Sequence, residues 1–213
     1  MIQKNIAITQ RLDEVSDYGE TRESLDINWG RFINNLSYIP CPLSSAINIH
    51  DFFEQNPFHG VLFSGGNNLS SLKPSKLSTS RDHFETKLIS FCLSKKIPIL
   101  GVCRGMQIIA QYFNGKIEPI DGHVKTHHNL VNNKASKWIK ELNAIKTVNS
   151  FHDYSVSSVP EEFIVSSVDE TTNGIEAIEH KKLPVFCQMW HPERTVPFSI
   201  EESQLIKKFF NSH

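Results

Sequence analysis

The chain has 213 residues, with 39% hydrophobic and 21% charged side chains and a formal net charge of −1. This composition excludes a disordered chain, and the near-zero charge gives no field for nucleic-acid binding. No stretch approaches the 18 apolar residues that predict a membrane span, and the first ten residues lack the apolar core of a signal peptide. We therefore expect one domain over residues 1–213, located in the cytoplasm.

The first half of the chain alternates short apolar runs with amphipathic stretches, which indicates βαβ layering. Predicted strands cover residues 2–9, 38–39 (stopped by Pro40 and Pro42), 60–63 and 97–102. Predicted helices cover residues 28–36, 49–55 and 82–94, and a further helix follows residue 103 directly. The polar segment Ser64 to Ser80 is predicted as a loop, and its place after a strand makes it a candidate rim for a site.

The pattern changes after Gly115 into a series of short strands. They are predicted at residues 117–120, 126–131, 147–148, 154–156, 163–168, 174–180 and 185–189. This half resembles an antiparallel arrangement, and an amphipathic helix over residues 199–210 closes the chain.

The four cysteines and ten histidines show no metal-ligand spacing. The cysteines (Cys41, Cys92, Cys103 and Cys187) are far apart in sequence and contain no Cys-x-x-Cys pair. The adjacent pair His127 and His128 is typical of a solvated surface. The sequence thus predicts free thiols in a reducing compartment, with no metal and no cofactor.

Cys103 lies between two glycines, Gly101 and Gly105, where an apolar strand gives way to a helical pattern. This is the thiol version of the Gly-x-Ser-x-Gly nucleophile elbow. The helix N-terminus favours a thiolate, and the N–H of Arg104 points to where an oxyanion forms. A buried structural cysteine is the alternative, but the two glycines at elbow spacing favour a nucleophile.

His191 and Glu193 supply a base and an orienting carboxylate in the run Trp-His-Pro-Glu, after a predicted strand. Pro192 fixes the backbone between them. A surface turn is the alternative interpretation of this run. Beside the elbow, the pair is interpreted as the partner of Cys103.

Two further segments end strands close to this constellation. Gly65 and Gly66 allow a backbone N–H to face a ligand and give a second oxyanion donor, or else form a flexible turn. The segment from Val148 to His152 either binds an ionic end of the substrate through its backbone or is a simple loop.

These four motifs together resemble the class I glutamine amidotransferase family. Arg104 in the elbow and the pair Arg81-Asp82 resemble its stand-alone γ-glutamyl hydrolases, the γ-glutamyl-γ-aminobutyrate hydrolase type. The resemblance implies a flavodoxin-like three-layer α/β/α fold with a central, mostly parallel sheet. It also implies site residues: the triad is Cys103, His191 and Glu193, the oxyanion donors lie near Gly65 and Gly66 and at Arg104, and the glutamyl group is held by Gln107, Ser150, Phe151 and His152.

The resemblance implies cysteine-dependent hydrolysis of a γ-glutamyl amide of a small molecule, with release of glutamate. The preferred substrate is γ-glutamyl-CDP-amidate, from capsule phosphoramidate biosynthesis. Its diphosphate would draw on a modest arginine supply, most of it surface charge (Arg11, Arg22, Arg31, Arg81, Arg104 and Arg194). Alternatives are a γ-glutamyl-amine such as γ-glutamyl-γ-aminobutyrate, a partner-dependent glutaminase and a non-catalytic binding module. The oligomeric state stays open.

Two features depart from the pattern of this family branch. The chain is shorter than typical members of the branch. Cys187-Gln188-Met189-Trp190 also differs from the usual Gln directly before the aromatic residue, a change expected to affect packing.

Overall fold

The computed structural model describes residues 4–213, so the predicted start of the first strand at Ile2 lies outside the described residues. The strands are β1 (Asn5–Ile8), β2 (Arg11–Val15), β3 (Glu20–Ser24), β4 (Ile39–Pro42), β5 (Gly60–Phe63), β6 (Ile99–Val102), β7 (Lys116–Pro119), β8 (Val124–Asn132), β9 (Thr147–Phe151), β10 (Tyr154–Ser158), β11 (Phe163–Asp169), β12 (Ile175–His180) and β13 (Val185–Gln188). The helices are α1 (Ile27–Asn35), α2 (Ile49–Gln55), α3 (Lys76–Lys95), α4 (Arg104–Tyr112), α5 (Ile139–Leu142) and α6 (Ile200–Asn211), with a 3-10 turn at Pro192–Arg194.

A nine-stranded sheet in the order β4-β1-β5-β6-β13-β12-β11-β8-β9 forms the centre of the molecule. The pairs from β4 through β13 are parallel, and the pairs from β13 through β9 are antiparallel. β6 lies inside the parallel part, between β5 and β13. The carboxyl ends of these three strands therefore meet at one edge, where ligands bind in open α/β sheets.

Helices cover both faces of the parallel strands, because successive side chains of a strand point to opposite faces. In β1, Ile6 and Ile8 pack with Trp29 of α1, whereas Ala7 packs on the other face with Leu88 of α3. The same alternation recurs in β5, β6 and β13, with α5 and α6 on the first face and α2 and α4 on the second. The predicted three-layer α/β/α fold is confirmed.

Two predicted boundaries were wrong for identifiable reasons. Pro40 does not stop its strand: β4 runs through to Pro42, since an edge strand pairs on one side only and tolerates a residue without an N–H. Helix α3 begins at Lys76, not at Asp82, because the Ser75 hydroxyl accepts the Ser78 N–H while the Ser78 hydroxyl bonds back to the Ser75 N–H. The loop after β5 is therefore shorter than predicted, because residues 76–80 belong to α3.

Three structural features were not predicted. The hairpin β2–β3 forms a separate two-stranded sheet, and α5 is a single turn of helix. The pair predicted as solvated surface is split, because His127 is exposed whereas His128 is buried. Within residues 4–213, the helices lack the combination of length and apolar character that a bilayer crossing requires.

Candidate active site

Cys103 occupies a strained turn between β6 and α4. Its backbone has φ 53° and ψ −110°, a conformation that L-residues rarely adopt. The flanking glycines are required by packing. A Cβ on Gly105 would lie 2.0 Å from the carbonyl oxygen of Phe63, and one on Gly101 would lie 2.9 Å from the Sγ of Cys187. The turn therefore presents the thiol at the carboxyl edge of the sheet, with 8% of the residue exposed.

His191 and Glu193 form a buried pair at the 3-10 turn after β13. The Nδ1 of His191 lies 2.7 Å from the Oε1 of Glu193, and both residues are at most 2% exposed. Burial of the ring works to lower its pKa, but the negative charges of Glu193 and Cys103 outweigh burial and raise the pKa of His191 to about 9. At neutral pH the ring is thus an imidazolium, suited to pair with a thiolate.

Asn149 fixes the backbone of His191 and was not singled out from the sequence. Its Nδ2 donates to the His191 carbonyl at 2.7 Å, and its Oδ1 accepts the His191 N–H at 2.9 Å. Asn149 lies on β9, 42 residues earlier in the chain. The only signal in the sequence was its place in the segment that follows a short strand.

Gly65 lies close to both His191 and Cys103. A Cβ built on Gly65 would lie 2.8 Å from the Cε1 of His191 and 3.7 Å from the Cβ of Cys103. Any side chain at this position would push against the histidine ring. Gly65 is therefore a packing requirement of the site as well as part of the glycine loop.

Two backbone N–H groups are candidates for binding an oxyanion. The N–H of Arg104 is at the first position of α4, where the helix offers it no internal acceptor. Gly66 has φ +85°, which turns the loop after β5 towards the cavities described below. These are the donors that the sequence predicted, and their role stays a prediction.

A buried ionic network supports both of these backbone segments. Arg81 donates to the carbonyl oxygens of Ser64 (2.8 Å) and Gly65 (3.0 Å), and its Nε donates to Glu85 at 3.0 Å. Arg104 donates to Glu85 and to Asp82. Arg81 and Arg104 are each 1% exposed, so they are not available to bind a diphosphate, as the sequence had allowed.

A cavity of about 220 Å³, here called the thiol cavity, opens at Cys103. It is lined by Gly66, Asn67, Asn68, Cys103, Arg104, Gln107, Phe151, His152, Asp153 and Tyr154. The Nε2 of Gln107 donates to the Tyr154 carbonyl at 2.8 Å, which positions the amide at the cavity wall.

Ser150 does not line the thiol cavity. It is fully buried, and its hydroxyl donates to the His123 carbonyl at 2.7 Å. One ring nitrogen of His152 is also bonded to the protein. Its Nδ1 lies 3.1 Å from the Tyr154 carbonyl, and its Nε2 lies 3.7 Å from Glu176. Of the predicted segment, Phe151 and His152 reach the cavity wall, and Ser150 supports them from behind.

A second cavity of about 310 Å³, here called the hairpin cavity, is lined by His191. It is lined by Arg11, Ser24, Leu25, Asp26, Trp29, Ser64, Gly65, Gly66, His191, Glu193 and Arg194. Gly66 lines both cavities. The unpredicted hairpin β2–β3 supplies Arg11 and Ser24, so His191 lines one cavity and Cys103 lines the other.

This fold, with a thiol at a strand-to-helix elbow and a buried histidine–carboxylate pair, defines a class I glutamine amidotransferase-like hydrolase. The peptidase C26 family model matches residues 6–193, and the chain belongs to that family. Membership makes the protein a hydrolase that acts on an amide bond. The predicted family is confirmed.

Similar proteins support this assignment at two levels. Gamma-glutamyl-CDP-amidate hydrolase of Campylobacter jejuni is 36% identical over 209 residues, covering 97% of each chain. Anthranilate synthase component 2 of Thermococcus kodakarensis is 39% identical over 104 residues, covering 47% of this chain and 52% of its own. At the level of fold, a glutamine amidotransferase from Thermotoga maritima superposes with a TM-score of 0.66 at 12% identity, covering 100% of this chain and 84% of its own.

Proposed function

We propose that this protein hydrolyses γ-glutamyl-CDP-amidate, releasing glutamate and cytidine diphosphoramidate for capsule phosphoramidate biosynthesis. The observation that carries the proposal is a pair of cavities that share Gly66, one lined by Cys103 and the other by His191. The thiol cavity has the size for one amino acid. The hairpin cavity offers two arginines to a larger leaving group. The near full-length similarity to the Campylobacter enzyme supports the same substrate.

In the proposed reaction, the Cys103 thiolate attacks the γ-carbonyl carbon, and the oxyanion is held by the N–H groups of Arg104 and the Gly66 segment. The carbon–nitrogen bond then breaks as His191 gives its proton to the leaving nitrogen. A water molecule attacks the thioester while His191 accepts a proton, and glutamate leaves from a regenerated thiolate. Glu193 keeps the ring oriented and stabilises the imidazolium.

Arg11 and Arg194 are the proposed contacts for the diphosphate. Both line the hairpin cavity, and their side chains are 54% and 36% exposed. Arg194 also lies 4.5 Å above the ring of Phe151, which holds its guanidinium at the cavity mouth. Trp29 lines the same cavity but is 2% exposed, so it closes the wall against the core. Of the six arginines considered from the sequence, these two line a cavity beside the imidazole.

A substrate panel tests the proposal. The rate of glutamate release is measured for γ-glutamyl-CDP-amidate, γ-glutamyl-γ-aminobutyrate and glutamine. We expect the nucleotide conjugate to have the highest kcat/KM. A conjugate turned over no faster than glutamine would refute the proposed substrate. Activity on glutamine that arises only with a partner protein would favour the glutaminase alternative, which the similarity to anthranilate synthase component 2 keeps in view.

A matched pair of variants locates the leaving-group site. Arg11→Gln removes a cation from the hairpin cavity and is expected to raise KM for the nucleotide conjugate about tenfold or more, the cost of losing one charged hydrogen bond. Arg22→Gln changes the same residue type on the same hairpin, where Arg22 pairs with Glu20 away from the cavity. It should leave KM unchanged. Equal effects of the two variants would place the nucleotide elsewhere.

A further inference from the structure

Three buried side chains from distant parts of the chain converge behind the thiol cavity. His123 precedes β8, His152 follows β9 and Glu176 lies on β12. The Nδ1 of His123 and the Nε2 of His152 lie 3.3 Å and 3.7 Å from the same carboxylate oxygen, Oε1 of Glu176. His123 and Glu176 are fully buried, and His152 is 4% exposed. We call this group the histidine cluster.

The facing atoms of the histidine cluster make no well-aligned hydrogen bond in the described part of the chain, although both rings lie close to the Glu176 carboxylate. This holds for the Nδ1 of His123, the Nε2 of His152 and both carboxylate oxygens of Glu176. Burying a polar atom without a partner costs about 1–3 kcal/mol, and more when the group is charged. Four such atoms in one buried cluster are a costly arrangement unless a ligand joins them.

The other nitrogen of each ring is already held by the protein. The Nε2 of His123 lies 2.9 Å from the Thr172 hydroxyl and 3.6 Å from the Asp169 carboxylate. The Nδ1 of His152 lies 3.1 Å from the Tyr154 carbonyl. A carboxylate or carbonyl behind a histidine fixes its tautomer, so that the lone pair of the opposite nitrogen points forward. Both lone pairs here point into the cluster.

We propose that His123, His152 and Glu176 bind a zinc ion. Zinc takes two histidine nitrogens and a carboxylate oxygen at about 2.0–2.2 Å, which separates ligands of a tetrahedral site by about 3.3–3.5 Å. The measured separations of 3.3 Å and 3.7 Å fit that spacing. The fourth position is left for water or for His128, whose ring centroid lies 4.0 Å from that of His123 and whose buried Nε2 has no partner among the described residues.

The zinc ion has a structural role in this arrangement. It joins β12 to the ends of β8 and β9, and so fixes the loop that carries Phe151 and His152 to the wall of the thiol cavity. The proposal does not depend on the identity of the γ-glutamyl substrate. It revises the expectation, drawn from sequence spacing, that the histidines bind no metal.

Zinc titration tests the proposal. Because Cys103 and His191 also offer a thiolate and an imidazole, the host is the Cys103→Ala protein, stripped with a chelator. We expect one equivalent of Zn²⁺ to bind with micromolar or tighter affinity, to raise Tm, and to be replaceable by Co²⁺ with the visible absorption of a tetrahedral site. A host that binds no Zn²⁺ would overturn the proposal and leave a hydrogen-bonded ionic cluster in its place.

Variants in this host locate the site. Glu176→Gln and, separately, His152→Gln are expected to weaken zinc binding at least tenfold. His127→Asn is the matched control, because His127 is exposed on the same strand as His128 and outside the cluster. It should bind zinc like its host. Unchanged zinc affinity in both cluster variants would overturn the assignment. If one variant does not fold, unchanged zinc affinity in the other is enough to overturn it.

Discussion

Glu193→Gln is the sharpest perturbation of the proposed chemistry. Glu193 and then Cys103 raise the pKa of His191 from 6.5 to about 9, against the effect of burial. At 1.36 kcal/mol per unit, the imidazolium is stabilised by about 3 kcal/mol, with no solvent to screen a residue that is 2% exposed. Removing the carboxylate charge of Glu193 takes away the largest contribution that raises the pKa of His191 and leaves Cys103 alone to oppose burial. We expect kcat/KM at pH 8 to fall on the order of a hundredfold.

The pH profile carries the refutable part of this prediction. Activity that needs the imidazolium is lost as pH rises through the pKa of His191, so wild-type kcat/KM should fall above about pH 9. In Glu193→Gln this alkaline limb should move to lower pH by more than one unit. Glu201→Gln, the same change on the exposed first turn of α6, is the control. If the alkaline limb of Glu193→Gln stays at its wild-type pH, the charge of Glu193 does not raise the pKa of His191.

Three further variants test the supporting structure. Burial, and then the Glu193 charge, raise the pKa of Glu202 to about 7, so Glu202 is protonated in the folded protein at pH values where it is ionised in the unfolded chain. The free energy of unfolding therefore falls as pH rises from 4.5 to 7. Glu202→Gln should remove up to about 3 kcal/mol of that fall, measured by urea unfolding, and an unchanged slope of unfolding free energy against pH would contradict the prediction. Asn149→Ala removes both bonds to the His191 backbone and should lower kcat more than it changes KM, at a stability cost of about 2 kcal/mol; wild-type kcat would exclude a positioning role. Arg81→Gln leaves Glu85 without one cation and should cost about 3–5 kcal/mol of unfolding free energy, and a loss well under about 1 kcal/mol would mean that the network is not needed.

The parts of the site that sequence reasoning identified are those encoded in short runs of residues. The elbow around Cys103 and the run His191 to Glu193 each carry a local reason for their residues, a tight strained turn or a base next to its acceptor. The unbroken apolar runs in β1 and β5 likewise follow from burial on both faces. Short runs of sequence are therefore enough to predict the layers of the fold and the three residues of the proposed triad.

The parts that sequence reasoning missed depend on contacts between distant segments. Asn149 reaches His191 only because β9 and the turn after β13 meet in the fold. The histidine cluster is formed by residues 123, 152 and 176. These residues are too far apart in sequence for metal-ligand spacing motifs to identify them. Arg81 was considered as a substrate contact, since a sequence does not show whether a cation faces solvent or a buried carboxylate such as Glu85.

The β2–β3 hairpin was missed for a different reason. Its residues are mostly polar and exposed, so β3 carries little of the apolar alternation that predicts a strand. Its register pairs Arg11 with Ser24, and both residues line the hairpin cavity. In the proposed function, the specificity for the leaving group thus rests on the element with the weakest sequence signal.

In the proposed mechanism, every substrate forms the same γ-glutamyl thioester on Cys103. The direct measurement is the ratio of γ-glutamyl hydroxamate to glutamate formed when hydroxylamine competes with water, with Cys103→Ala protein as the blank. A common acyl-enzyme predicts the same ratio from γ-glutamyl-CDP-amidate and from glutamine, because the leaving group has gone before water attacks. A ratio that depends on the leaving group, or steady turnover by the Cys103→Ala protein, would contradict the account.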